Sequence, residues 1–135
     1  MVQNISVLVV DDQPRARQSM KALLATWPNV KEIRDAVNGR EAILRVQEYP
    51  PDLVVMDTDM PEMDGVQAAR IIKSRWPQVK VVVLSIYPDL KAEILATGAD
   101  AFVSKGEPPE ELMATIAKLT APPEQIGDDT GKPIK

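Results

Sequence analysis

The stretch Asp52-Leu53-Val54-Val55-Met56-Asp57 sets four apolar residues in a row directly before an aspartate. Similar short apolar runs lie at Val7–Val10, at Val79–Leu84 and at Ala101–Val103, and a weaker one lies at Glu32–Ala36. The runs are rich in β-branched residues and do not alternate with polar ones, which is typical of strands buried on both faces of a parallel sheet. The sequence therefore predicts such a sheet, with Glu32–Ala36 as an edge strand.

The segments between these runs have the apolar periodicity of amphipathic helices. Asn38 followed by Glu41 is a helix-start pattern, Pro109 begins a last helix, and Gly98 stands where a helix ends in the left-handed conformation. The order is five repeats of strand and helix, which right-handed crossovers join into one sheet. The prediction is a doubly wound α/β sandwich.

Composition narrows both the architecture and the chemistry. The 135 residues predict a single domain over 1–120, followed by a Pro- and Gly-containing tail or interdomain linker over 121–135. The chain has no Cys and no His, which excludes disulfides, thiolate nucleophiles, imidazole bases and His/Cys zinc sites. A net charge of −4 without a basic cluster argues against direct nucleic-acid binding. Neither a membrane-spanning run nor a signal sequence is recognisable, so a cytoplasmic location is expected.

Polar residues follow the predicted strands at the edge where ligands of open parallel sheets bind. Asp11 and Asp12 follow the first run, Asp57 and Ser85 follow two others, and Lys105 comes shortly after the last. Crowded carboxylates repel one another unless a cation is present, and Mg²⁺ prefers carboxylate and phosphate oxygens. With one lysine beside them, these residues predict a site that handles phosphoryl groups, with Asp57 as the candidate nucleophile.

The same residues stand in motifs that resemble the receiver domain of two-component response regulators. The motifs are Val7–Asp12, Asp52–Gly65 with its Met60-Pro61 and Asp64-Gly65 pairs, Val81–Ser85 and Gly98–Lys105. The resemblance extends from about Ile5 to about Leu119. A Gly follows Lys105, as it does in receivers found with helix-turn-helix output domains. The resemblance implies a flavodoxin-like (βα)5 fold with strand order 2-1-3-4-5.

The resemblance also implies a reaction and its partners. Asp57 would accept a phosphoryl group from a phosphohistidine on a sensor histidine kinase or a phosphotransfer protein, in signalling and not in enzymatic turnover. Asp12 and Asp57 would bind Mg²⁺ through their carboxylates, Asp11 through water and Asp59 through its backbone carbonyl. A C-terminal output domain beyond this chain and a homodimer are both compatible with the resemblance.

Switching is implied for three further residues. Lys105 would pair with the phosphoryl oxygens, Ser85 would be the hydroxyl that moves towards the phosphoryl group, and Phe102 the aromatic that repacks in response. The interval from Ser85 to Lys105 is two residues shorter than is usual in the family, which predicts a shortened fourth helix or lead-in loop. Ile86 stands where small residues are common, which bears on access to the phosphoryl site.

Parts of the sequence are compatible with two other functions. The segment Asp57-Thr-Asp59 also resembles the haloacid-dehalogenase phosphatases, but Pro61 departs from their motif and their usual order has no acidic pair on the first strand. A receiver-like interaction module that signals without phosphorylation is the other alternative. The complete acidic set with Lys105 argues against it, while a shortened fourth helix leaves a non-standard mode of switching open.

Overall fold

The predicted apolar runs form the strands of a single sheet. The computed structural model describes residues 4–58 and 65–121. The strands in these ranges are β1 (Ile5–Val10), β2 (Val30–Ala36), β3 (Leu53–Asp57), β4 (Lys80–Ser85) and β5 (Ala101–Ser104). The helices are α1 (Pro14–Ala25), α2 (Gly39–Glu48), α3 (Gly65–Arg75), α4 (Lys91–Ala96) and α5 (Pro109–Leu119), and a 3-10 turn at Pro88–Leu90 precedes α4.

All strand pairs are parallel, and the order across the sheet is β2-β1-β3-β4-β5. Both the order and the edge position of β2 confirm the prediction. The chain winds outwards from β1 to β2 and then returns past β1 to β3, so the direction of winding reverses between β1 and β3. In open α/β sheets, ligands bind in the crevice beyond the carboxyl ends of the strands at this kind of reversal.

Two apolar layers cover the two faces of the sheet, because successive side chains of a strand point to opposite faces. On one face Leu8 and Val10 of β1 pack with residues of α2, α3 and α4. On the other face Ile5, Val7 and Val9 pack with residues of α1 and α5. Burial on both sides explains why the strands read as unbroken apolar runs.

The register of the sheet fixes the relative heights of the strand ends. Val10 pairs with Met56, Asp57 with Leu84, and Ser85 with Ser104. The ladder continues past these pairs, since the Lys105 N–H donates to the Ser85 carbonyl at 2.9 Å. The polar residues that follow the strands therefore lie side by side along one edge.

The helix boundaries follow local sequence signals. Asn38 Oδ1 accepts the Glu41 N–H at 2.7 Å and Glu41 Oε1 accepts the Val37 N–H at 2.8 Å, which closes the predicted start of α2. Gly98 has φ +99° and ends α4 as predicted. With six residues, α4 is short, in line with the shortened interval between Ser85 and Lys105.

Some predictions fall outside the described residues. They are the tail beyond Ala121 and Asp59 with its motif neighbours. Within the described residues, no helix combines the length and the apolar character that crossing a bilayer requires.

Candidate functional site

Three carboxylates meet at the carboxyl ends of β1 and β3. Asp11 and Asp12 follow β1 and Asp57 is the last residue of β3. Each contributes one oxygen to a group in which all oxygens lie within 4.8 Å of one another. Asp11 and Asp57 are buried and Asp12 is partly exposed. Such a set of hard oxygen donors could hold a divalent cation, which would relieve the repulsion among the carboxylates.

Asp57 is paired with Lys105. The Nζ atom of Lys105 lies 2.5 Å from Oδ1 of Asp57, and the side chains are 34% and 5% exposed, respectively. The two side chains form an ion pair at the edge of the sheet. Burial raises the pKa of Asp57 above its ordinary value; Lys105 opposes this rise, and the charges of Asp11 and Asp12 add to it.

The backbone that carries Asp11 is held from several sides. The Asp11 N–H donates to the Ala36 carbonyl of β2 at 3.1 Å. Asp11 Oδ1 accepts the Gln13 N–H at 2.9 Å, just before α1 begins. The Asp11 carbonyl accepts a hydrogen bond from Nη1 of Arg17 at 2.9 Å. The short connection between β1 and α1 therefore has a defined conformation at the acidic site.

Ser85 and Phe102 lie on neighbouring strands but in different surroundings. Ser85 is 1% exposed, and its Oγ accepts the Tyr87 N–H at 2.9 Å. Phe102 is half-buried and packs against the apolar layer that includes α4. Ile86, between Ser85 and Tyr87, is 60% exposed.

The structure brings Asp11, Asp12, Asp57 and Lys105 together as the sequence predicted. Arg17 and Gly65 also contact the backbone of the site, although these contacts were not predicted from the sequence. At Gly65 a Cβ atom would clash with the Asp57 backbone and would lie 2.9 Å from the Thr58 Cα. The glycine of the Asp64-Gly65 pair was a visible signal for this close approach, whereas nothing near Arg17 in the sequence indicated its contact with Asp11.

The comparison with protein families agrees with this geometry. A sequence model of the response regulator receiver domain matches residues 7–117. The chain belongs to the response regulator receiver family. The match includes every strand from β1 to β5 except the start of β1, so the receiver fold accounts for nearly all described elements.

This receiver is similar to curated proteins and solved structures of response regulators. It is 34% identical over 114 residues to the transcriptional regulatory protein DegU of Brevibacillus brevis, across 83% of this chain and 48% of DegU. The chain thus spans about half the length of this relative.

Two solved structures share the receiver fold. A two-component response regulator of the LuxR family from Aurantimonas sp. SI85-9A1 has a TM-score of 0.81 and 27% identity, covering 87% of this chain and 86% of that one. The response regulator TrrA of Thermotoga maritima, in complex with Mg²⁺ and BeF, has a TM-score of 0.78 and 32% identity, covering 84% of this chain and 97% of that one.

Proposed function

We propose that this receiver accepts a phosphoryl group on Asp57, with Mg²⁺ bound at the acidic site, and thereby switches the state of an attached or associated output. The single observation that supports the proposal most strongly is the meeting of the Asp11, Asp12 and Asp57 carboxylates within 4.8 Å, with Lys105 2.5 Å from Asp57. Phosphoryl transfer commonly uses such a group of carboxylates, which bind the metal ion, together with a positively charged side chain.

Asp57 is the acceptor in this proposal because of its position and environment. It ends a central strand and is buried, so the backbone holds its carboxylate with little freedom. Burial leaves the carboxylate poorly solvated, and a poorly solvated anion has less water to displace before it attacks phosphorus. The acceptor must be ionised to attack, and the Lys105 ammonium beside it favours the ionised form by lowering the pKa of Asp57, which burial raises.

The donor must supply the histidine, because this chain has none. In the transfer, a carboxylate oxygen of Asp57 bonds to phosphorus while the bond between phosphorus and the donor imidazole nitrogen breaks. The electron pair of the broken bond stays on that nitrogen, and the imidazole takes up one proton from water. The product is an acyl phosphate on Asp57, and no redox partner is needed.

The surrounding residues stabilise the charge of the transferring group. Asp11, Asp12 and Asp57 would hold Mg²⁺, together with the backbone carbonyl of Asp59, which lies outside the described residues. When bound, Mg²⁺ supplies positive charge to the phosphoryl oxygens. Lys105 already lies beside Asp57 and would move its ammonium from the carboxylate to a phosphoryl oxygen.

A switch would run from Ser85 to Phe102. The Ser85 hydroxyl must give up the Tyr87 N–H to approach a phosphoryl group, and Tyr87 immediately precedes the 3-10 turn that leads into α4. Leu90 of that turn and Phe102 pack against the same apolar layer. A shift of the turn would therefore change the packing of Phe102, which is the role proposed for it.

The partner that brings the histidine must reach this edge of the sheet. A cavity of about 320 Å³ opens there between α1 and α5, and both Asp11 and Lys105 line it. Its wall includes Met20, Leu23 and Leu112, which offer apolar surface beside the charged site. We propose that the kinase or phosphotransfer protein packs against this wall while its histidine faces Asp57.

The remaining assignments concern the whole protein. We propose that residues 1–120 form the receiver and that 121–135 form either a tail or an interdomain linker, the latter in a protein that carries a C-terminal output domain. We also propose that the protein acts in the cytoplasm, as a signalling phosphoacceptor whose acyl phosphate is lost slowly by hydrolysis. A homodimer is compatible with the same proposal.

Intact-mass spectrometry tests the phosphoacceptor function. The protein is incubated with acetyl phosphate and Mg²⁺ and quenched in acid, because acyl phosphates are short-lived. We expect one phosphoryl adduct on the wild type, and none when EDTA replaces Mg²⁺ or when Asp57→Asn is used. The matched control is Asp89→Asn, which changes an exposed aspartate of the 3-10 turn in the same way and should keep the adduct.

The alternative functions give different results in this experiment and in an assay of phosphate release from phosphomonoesters. A folded wild type without any adduct would indicate a receiver-like interaction module and would overturn the proposal. Steady release of phosphate from many phosphomonoesters, with no lasting adduct, would indicate a phosphatase of the haloacid-dehalogenase type.

A further inference from the structure

Arg17 links the acidic site to the edge strand of the sheet. It lies in the first turn of α1, and its side chain is 15% exposed. Its Nη1 donates to the Asp11 carbonyl at 2.9 Å, and its Nε donates to Asp35 Oδ2 at 3.1 Å. One planar guanidinium thus joins the loop after β1 to the side chain of a residue in β2.

These contacts act on a backbone that also carries two predicted metal ligands. Asp11 is held by β2 through its N–H and by α1 through its carbonyl, since Ala36 accepts from the former and Arg17 donates to the latter. The carbonyl belongs to the peptide unit between Asp11 and Asp12. Its orientation therefore affects the direction in which both carboxylates leave the chain.

We propose that Arg17 is a positioning residue for the metal site, which fixes the peptide between Asp11 and Asp12 by bridging it to Asp35. The inference rests on the proposed function, because it assumes that these aspartates bind Mg²⁺. Residues that orient ligands from behind commonly change metal affinity by about 10- to 100-fold when they are removed.

The charge of Arg17 and its contacts predict opposite changes in metal affinity when the residue is replaced. A cation close to a metal site repels the metal ion, so removal of the guanidinium charge alone would tighten metal binding. Removal of a positioning contact would instead weaken binding, because the carboxylates lose their preset geometry. The sign of the change in affinity therefore separates the two effects.

Lys21 provides a matched control. Its Nζ lies 3.3 Å from Asp35 Oδ2, the same carboxylate oxygen that Arg17 contacts. Lys21 pairs with Asp35, whereas Arg17 pairs with Asp35 and also donates a hydrogen bond to the Asp11 carbonyl. Arg17→Met and Lys21→Met both remove one positive charge paired with Asp35, but only the first removes the contact with the metal-site backbone.

The test measures Mn²⁺ binding to the unphosphorylated full chain by electron paramagnetic resonance of the free ion. Mn²⁺ is suitable because it shares the preference of Mg²⁺ for carboxylate and water ligands. We expect Arg17→Met to raise the Kd by about 10-fold and Lys21→Met to leave it unchanged or to lower it slightly. Urea unfolding of each variant shows that the chain is folded under the titration conditions.

A second readout follows phosphorylation by acetyl phosphate. For Arg17→Met we expect the Mg²⁺ concentration at half-maximal rate to rise, while the rate at saturating Mg²⁺ and the dependence on acetyl phosphate stay near wild type. A purely structural role would lower the rate at every Mg²⁺ concentration. If Arg17→Met does not fold, Arg17→Lys replaces it, because an ammonium keeps the charge but cannot bridge both partners as the planar guanidinium does.

The outcomes separate this inference from the proposed function. A wild type that binds no Mn²⁺ would refute the proposed function and, with it, the role of Arg17. A wild type that binds Mn²⁺, with Arg17→Met binding equally well or more tightly, would refute the role of Arg17 alone. An equal loss of affinity in Lys21→Met would also overturn it, because the effect would then belong to Asp35.

Discussion

At the scale of single residues, the surroundings of Asp57 suit its proposed function but lower the stability of the folded protein. Its carboxylate is buried next to two others, and Lys105 compensates only part of the cost because that side chain is 34% exposed. The pKa of Asp57 is raised, mainly by burial. The native protein therefore binds a proton at the Asp57 carboxyl group more tightly than the unfolded chain does.

The raised pKa predicts how stability depends on pH in the absence of metal. Above the ordinary carboxyl value of 3.8, the unfolded chain loses this proton first, so the contribution of Asp57 to stability falls as the pH rises through its native pKa. Asp57→Asn should match the wild type at the acid end and become the more stable protein at neutral pH. Urea unfolding in EDTA across this range checks it, and a wild type that is equally or more stable at neutral pH would contradict it.

The site residues differ in how far the sequence predicts them. Asp11, Asp57, Ser85 and Lys105 could be placed because each lies at or just after the end of a strand, and the ends of parallel strands share one edge. The contacts of Arg17 could not be predicted, because its partner Asp35 is 18 residues away and the pair forms only through the crossing of α1 over β2.

At the scale of elements, the first residue of α3 packs directly against the Asp57 backbone at the end of β3. The Gly65 N–H donates to the Thr58 carbonyl at 3.0 Å, so α3 begins directly against the end of β3. A Cβ atom on Gly65 would lie 2.8 Å from the Asp57 carbonyl carbon, which is closer than real Cβ contacts. Neither neighbour is a side chain that could turn aside.

Gly65→Ala should therefore displace the backbone of the proposed phosphoryl site. We expect a loss of about 2 kcal/mol in the free energy of unfolding, which is typical of overpacking a close contact, and slower phosphorylation. Gly106→Ala is the control, because its Cβ would lie 3.8 Å from Ser104 Oγ, an ordinary distance, and should change stability by less than about 0.5 kcal/mol. Equal effects of the two substitutions in urea unfolding would show that a Cβ atom at Gly65 does not disturb the Asp57 backbone, contrary to this prediction.

The elements themselves were predictable because burial on both faces leaves a clear signal in the strands. Their ends were less so. Val79 belongs to an apolar run, yet β4 begins at Lys80. Trp27 and Trp76 continue helical stripes but lie beyond the ends of α1 and α3, where they still pack against the two apolar layers. An apolar pattern reports burial, and burial extends beyond the last helical hydrogen bond.

At the scale of the whole molecule, repulsion among the carboxylates at one edge lowers the stability of the fold, and burial of the two apolar layers offsets this loss. Metal binding should remove part of this repulsion, since a ligand that binds the native state alone stabilises it. At about ten times its Kd, one Mg²⁺ would add about 1.4 kcal/mol and raise the Tm by about 5 °C. NaCl at equal ionic strength is the control for screening, and a Tm shift of the same size in NaCl or in Asp57→Asn would argue against a specific site.

The central claim is that Asp57 carries the phosphoryl group, and chemical trapping tests it most directly. Borohydride reduces an acyl phosphate, so aspartyl phosphate becomes homoserine, and tandem mass spectrometry of the tryptic peptide 46–70 separates Asp57 from Asp52, Asp59 and Asp64. We predict homoserine at position 57 after treatment with acetyl phosphate and Mg²⁺, and nowhere without Mg²⁺. Homoserine at another aspartate, or at none in a folded and metal-bound protein, would contradict the account.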